Sequence, residues 1–154
     1  MLRISKRYYN EVIAHCRSAY PKEACGILAG AVAQGLTPND QRRVVVAVYP
    51  MRNVEDSPIG YAMDPKEQLA VEKQMRVRGQ HMLGVYHSHT ASEAYPSSVD
   101  VSLAISPDVS YVLISLKDQR QPIMKSYRIE GAAIQPEAVE VGERGFLVEP
   151  SADH

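Results

Sequence analysis

The apolar run Met82-Leu83-Gly84-Val85-Tyr86 ends in His87-Ser88-His89 and then gives way to a polar loop, and no other stretch of the chain limits its fold so tightly. In an extended chain the side chains at i and i+2 point the same way, so His87 and His89 form a chelate at the end of a strand. After the loop, Ser97-Ser98-Val99-Asp100 followed by Val101, Leu103, Ala104 and Ile105 reads as the start of a helix near 98–106 that returns a carboxylate toward the two imidazoles. Two neutral imidazoles, one carboxylate and an open fourth position are the usual ligand set of a catalytic zinc. Serine and aspartate are also common helix caps, so this block alone leaves a structural role open.

A second element lies far upstream. Pro21-Lys22-Glu23-Ala24-Cys25-Gly26-Ile27-Leu28-Ala29-Gly30 puts one carboxylate at the mouth of an apolar, glycine-punctuated strand, where it needs a partner or a task. Together, Glu23, His87, His89, Ser97 and Asp100 resemble the signature of the JAMM (MPN-plus) metalloproteases: a distant Glu, then His-x-His, seven residues, Ser, two residues, Asp. The segment Glu-Ala-Cys-Gly-Ile-Leu-Ala-Gly looks like the compact prokaryotic members, and the resemblance runs from about Tyr8 to about Tyr127. Thr90 departs from it, since many relatives have proline after the second His.

The resemblance implies an α/β fold in which helices flank a mixed, curled sheet, akin to the cytidine deaminase architecture. It also implies zinc, one per chain, on His87, His89 and Asp100, with Glu23 and Ser97 as catalytic residues. The roles agree with elementary chemistry. Zinc lowers the pKa of a bound water toward roughly 7. Glu23 can take the proton and pass it to a leaving amine, and Ser97 can donate to a developing oxyanion. Ser88, between the two histidines, points to the opposite strand face and reads as structural.

At 154 residues and 45% hydrophobic, the chain is one ordinary domain that needs no disulfide to hold a core. The catalytic domain is expected over 1–140, with 141–154 as a peripheral tail. A net charge of -1 argues against nucleic acid. There is no apolar stretch of membrane-span length and no hydrophobic leader, which points away from a membrane and to the cytoplasm. Cys16 and Cys25 form no Cys-x-x-Cys pair and are expected as reduced thiols. Cys25 is close enough to Glu23 to be weighed as a nucleophile, but its small apolar neighbours favour packing on the face it is expected to share with Glu23.

Ser5 is placed to cap a helix carrying Tyr9, Val12, Ile13, Cys16 and Tyr20, stopped by Pro21. The Glu23 strand follows, then a loop over Gly30–Gln41 and a strand Val44–Tyr49 ended by Pro50, the two strands pairing. Met51–Tyr61 reads as loop. Asp64, Pro65 and Glu67 give a cap, a first-turn proline and a capping-box acid for a helix closed by Gly79. Strands over 82–87, 111–116 and 123–129 complete the pattern, the last two joined by a short turn.

Thermolysin-type His-Glu-x-x-His and the deaminase cysteine motif are both absent. RadC-like proteins share the histidine block but not the Glu23 segment. The resemblance implies a peptidase or isopeptidase that cuts after the C-terminal glycines of a ubiquitin-like or sulfur-carrier protein, with Met51–Tyr61 and the following helix as groove walls. A lysine-63-selective relative would carry a second zinc-binding insertion, which this chain lacks. The alternative is a non-catalytic MPN-type binding module, although such modules usually lack the ligands intact here. The oligomeric state is not legible.

Overall fold

The computed structural model describes residues 1–32, 43–104, 106–144 and 146. Most of the loop expected at Gly30–Gln41, and the end of the tail, therefore lie outside the described residues. The elements in chain order are β1 (Leu2–Ser5), α1 (Lys6–Ala19), β2 (Cys25–Ala31), β3 (Ala47–Met51), α2 (Pro65–Val77), β4 (Gln80–His89), α3 (Ser98–Leu103), β5 (Ser110–Ser115), β6 (Ile123–Glu130), β7 (Ala133–Glu137) and β8 (Val139–Gly142).

Six strands form a mixed sheet in the order β3-β2-β4-β5-β6-β7, and β1 pairs with β8 in a separate two-stranded sheet. Every neighbouring pair in the large sheet is antiparallel except β4 and β5. A parallel pair needs a crossover, and the loop that follows His89, with α3, supplies it. His87 and His89 thus lie where β4 leaves the sheet to begin that crossover.

β2 is buried along six of its seven residues, as a central strand covered on both faces must be. Its Leu28 joins Val12, Ile13 and Cys16 of α1 in a core that also holds Leu83, Tyr86, Val112 and Ile114. On the other face, Cys25, Ile27 and Ala29 meet Tyr49 and Met51 of β3 and Met75 of α2. A smaller cluster joins Ala94, from the loop after β4, to Leu113, Tyr127 and Ile129. Both cysteines are free and buried, and burial pushes each thiol up to about 12. Cys25 therefore packs in the core.

Several local signals act as expected. Ser5 caps α1, its hydroxyl accepting from the Tyr8 N–H, and Asp64 caps α2 by accepting from Lys66. Gly79, at φ 65°, follows α2 in the left-handed region. Other details differ. Glu67 forms no capping box, because its carboxylate accepts from the Arg52 N–H at 2.8 Å and ties the end of β3 to α2. β3 continues through Pro50, which is tolerated because β3 is an edge strand. Val44 lies outside β3 and bridges to Arg3. β2 begins at Cys25, so Glu23 precedes the strand instead of sharing its face. β8 crosses position 140, and β1, β7 and β8 are strands that the sequence pattern did not mark.

Candidate metal centre and active site

His87 and His89 project from the last turns of the β4 pleat, and Asp100 comes to them from the first turn of α3. His87 Nε2 lies 3.1 Å from His89 Nε2, and each lies 3.2 Å from an oxygen of Asp100. One potential ligand atom from each residue falls within 4.8 Å of the other two. The donor set of two imidazoles and one carboxylate, gathered this closely in a largely buried site, is compatible with a divalent metal of the zinc class.

The carboxylate is aimed by its own helix. Ser97 and Asp100 form a capping box: the Asp100 N–H donates to Ser97 Oγ at 3.1 Å, and the Ser97 N–H donates to Asp100 Oδ2 at 2.8 Å. The cap reading of this block is therefore realised, and the cap is what turns the Asp100 carboxylate toward the two imidazoles. The loop between is pinned to the sheet by Ser115 Oγ donating to the Ser92 carbonyl at 2.7 Å and by Tyr127 Oη donating to that of Ala94.

Charge follows burial and contact. Burial lowers the pKa of His87, keeping it neutral as a metal ligand must be. Burial also opposes charge on His89, but its contacts with Asp100 and the Glu93 carbonyl prevail and raise its pKa. For Asp100, burial is outweighed by hydrogen bonds from His87, His89 and the Ser97 N–H, which hold the carboxyl well below the usual range.

Glu23 is 6% exposed and reaches the same cleft. Burial, helped by Asp100 and Glu55 and opposed by His89, pushes its carboxyl up to about 7. A carboxyl near neutrality in a cleft is suited to move a proton. Its backbone is fixed from two sides. The Glu23 N–H donates to the Ser57 carbonyl at 2.8 Å, and the Glu23 carbonyl accepts from Asn53 Nδ2 at 3.0 Å. The next residue is clamped to β4: Ser88 Oγ accepts from the Ala24 N–H at 2.9 Å, and the Ser88 N–H donates to the Ala24 carbonyl at 3.0 Å. Ser88 is thus the structural residue the strand alternation implies.

A cleft of about 380 Å³ opens beside these groups, with Glu23, His89, Ser97 and Asp100 in its wall. Glu55 and residues 58–61 line one side, and residues 90–92 with Val99 and Leu103 line the other. The Met51–Tyr61 loop is a wall as expected; no residue of α2 lines the cleft. Thr90 Oγ1 donates to the Pro58 carbonyl at 3.0 Å, tying the two walls together. Three residues escaped the sequence reading. They are Tyr61, stacked on His87; Asn53, the hub of the loop; and Glu55, near Glu23. Only the Asn, Gly and Pro content of 53–60 signalled a structured turn.

Residues 5–130 match the family model of prokaryotic homologs of the JAB domain. The chain belongs to the prokaryotic JAB family. It is 42% identical over 135 residues to the CysO-cysteine peptidase of Mycobacterium tuberculosis, covering 88% of this chain and 87% of that protein. It is 31% identical over 111 residues to the desampylase of Haloferax volcanii, covering 69% and 74% respectively. A solution structure of a Desulfitobacterium hafniense protein superposes with a TM-score of 0.81 at 39% identity, covering 99% of this chain and 97% of that one. At 18% identity and a TM-score of 0.55, a JAB1/MPN domain protein from Archaeoglobus fulgidus shares the JAB/MPN fold, over 92% of this chain and 100% of its own. The JAMM resemblance and the flanked mixed sheet are both borne out.

Proposed function

We propose that this JAB-family chain is a zinc-dependent peptidase or isopeptidase that cleaves after the C-terminal glycines of a ubiquitin-like or sulfur-carrier protein. The observation that carries the reading is the convergence of His87, His89 and Asp100 with the Glu23 carboxyl in one cleft. The relatives' names, CysO-cysteine peptidase and desampylase, support a carrier-conjugate substrate.

His87, His89 and Asp100 would hold the zinc, one ion per chain. When bound, zinc supplies Lewis acidity and activates water at neutral pH. Glu23 takes a proton at its carboxylate and returns it to the leaving amine, a task suited to a carboxyl near pH 7. Ser97 Oγ accepts from the Asp100 N–H, and its own hydroxyl hydrogen is directed to the scissile carbonyl oxygen as charge develops there. The cleft between residues 58–61 and 90–92 receives the tail in extended form, and glycines let its backbone approach the ligands closely. Exposed Ile59, Val99 and Leu103 at its edges fit an apolar partner surface. Two free, buried cysteines accord with work in the cytoplasm; among the described residues, no helix is long and apolar enough to cross a membrane.

The test is metal content measured beside cleavage. The unaltered protein should hold one zinc per chain, and His89→Ala or Asp100→Ala should lose both zinc and cleavage while circular dichroism is unchanged. Full zinc in either variant would remove that residue from the ligand set, and an active zinc-free protein would overturn the reading.

A further inference from the structure

The two imidazoles of the metal cluster are held by different means. His89 has an outer hydrogen-bond partner: its Nδ1 lies 2.8 Å from the Glu93 carbonyl oxygen, which fixes that nitrogen as the donor and leaves Nε2 to face Asp100. Among the described residues, the hydrogen bonds and ion pairs of the His87 ring all run through Nε2, to His89 and Asp100 within the cluster itself. No bond at the outer edge sets the plane of this ring. An aromatic face does. The Tyr61 ring lies against His87 with centroids 4.5 Å apart and planes 26° from parallel.

We propose that Tyr61 is the positioning residue of His87, replacing by stacking the outer hydrogen bond that His89 has and His87 lacks. The inference rests on the metal reading above. Tyr61 is itself firmly held. Its ring packs against the core cluster of Cys25, Tyr49 and Met51. Its backbone neighbours are clasped by Asn53, whose amide donates to the Gly60 carbonyl at 2.9 Å and whose Oδ1 accepts from the Ala62 N–H at 3.1 Å. The same amide donates to the Glu23 carbonyl at 3.0 Å. One side chain thus couples the segment that carries the proton-moving carboxyl to the segment that aligns a ligand. A ring that only filled space would be replaceable by any apolar side chain of similar reach; a ring that sets a plane is replaceable only by another flat ring.

The test is calorimetric titration of zinc ion into the metal-free full chain, against a competing chelator. Tyr61→Phe keeps the plane and should bind zinc within about threefold of the unaltered protein, whereas Tyr61→Leu should bind about 10–100-fold more weakly, the usual effect of losing an outer support. Asn53→Ala, which leaves the ring but frees its loop, should shift affinity in the same direction as Tyr61→Leu. Unaltered affinity in both Tyr61→Leu and Asn53→Ala would overturn the proposal, as would equal losses in Tyr61→Phe and Tyr61→Leu. Absence of zinc binding by the unaltered chain is a separate result, which would defeat the metal reading and this inference with it.

Discussion

Gly26→Ala should be among the most damaging small substitutions in this fold. Gly26 of β2 is paired with Tyr86 of β4, and a methyl group added there would sit 2.3 Å from Cε1 and Cζ of the Tyr86 ring and 2.4 Å from its oxygen. Comfortable contacts are about 3.5–4.0 Å, so the ring has to move by more than about 1 Å. Tyr86 is fully buried, and its hydroxyl lies 2.6 Å from His15 Nδ1 on α1, so movement on that scale breaks the bond. Overpacking costs about 1–3 kcal/mol and a buried hydroxyl without its partner about 1–3 kcal/mol more. Alanine's smaller loss of backbone freedom returns about 0.5–1 kcal/mol. The net destabilisation should be about 1–5 kcal/mol. Urea unfolding would show it as a lower midpoint at constant slope. In a Tyr86→Leu background no ring covers Gly26, and the same methyl should cost less than about 1 kcal/mol. Equal costs in the two backgrounds would refute the steric account.

Two further outcomes follow from named groups. Glu23→Gln should keep zinc and substrate binding but lower turnover by about two to four orders of magnitude, read by steady-state kinetics beside metal analysis. Zinc lost in proportion to activity would make Glu23 a ligand instead. Burial alone would raise the pKa of Glu137, but Ser110, Ser126, Arg43 and Arg128 together hold it below its ordinary value. A depressed folded pKa gives stability that is present above the unfolded value of about 4.3 and is lost as pH falls through the folded one. Glu137→Gln removes the carboxylate that Arg43 and Arg128 both face, should therefore cost about 1–3 kcal/mol at neutral pH, and should flatten the acid limb of the melting curve; an unchanged acid limb would contradict this.

The cluster of His87, His89 and Asp100 was legible because its geometry is local: the i, i+2 alternation aims His87 and His89, and the Ser97 cap, three residues before it, aims Asp100. The α1 and α2 boundaries were legible through Ser5, Pro21, Asp64 and Gly79 for the same reason. What escaped depends on distant partners. β1 is four residues long and finds its pair in β8, near the other end of the chain. β7 carries Pro136, which argues against a strand unless the strand lies at a sheet edge, as β7 does. Pro50 misled in the same way. The buried grouping of Arg43, Glu137, Ser110 and Ser126 joins four separate segments, and no spacing announces it. Tyr61 and Asn53 lay within a segment read only as a wall, since stacking and loop clasps leave no periodic trace.

The most direct measurement is the product mass released from a ubiquitin-like carrier ending in Gly-Gly joined to cysteine or lysine, compared at matched concentration with a carrier whose last glycine is valine. The zinc-loaded protein should free the Gly-Gly carrier with its C-terminus intact and leave the valine carrier essentially uncut, because a side chain beside the scissile bond collides with the cleft wall. Equal cleavage of the two carriers, or cleavage of neither by zinc-loaded protein, would contradict the assignment.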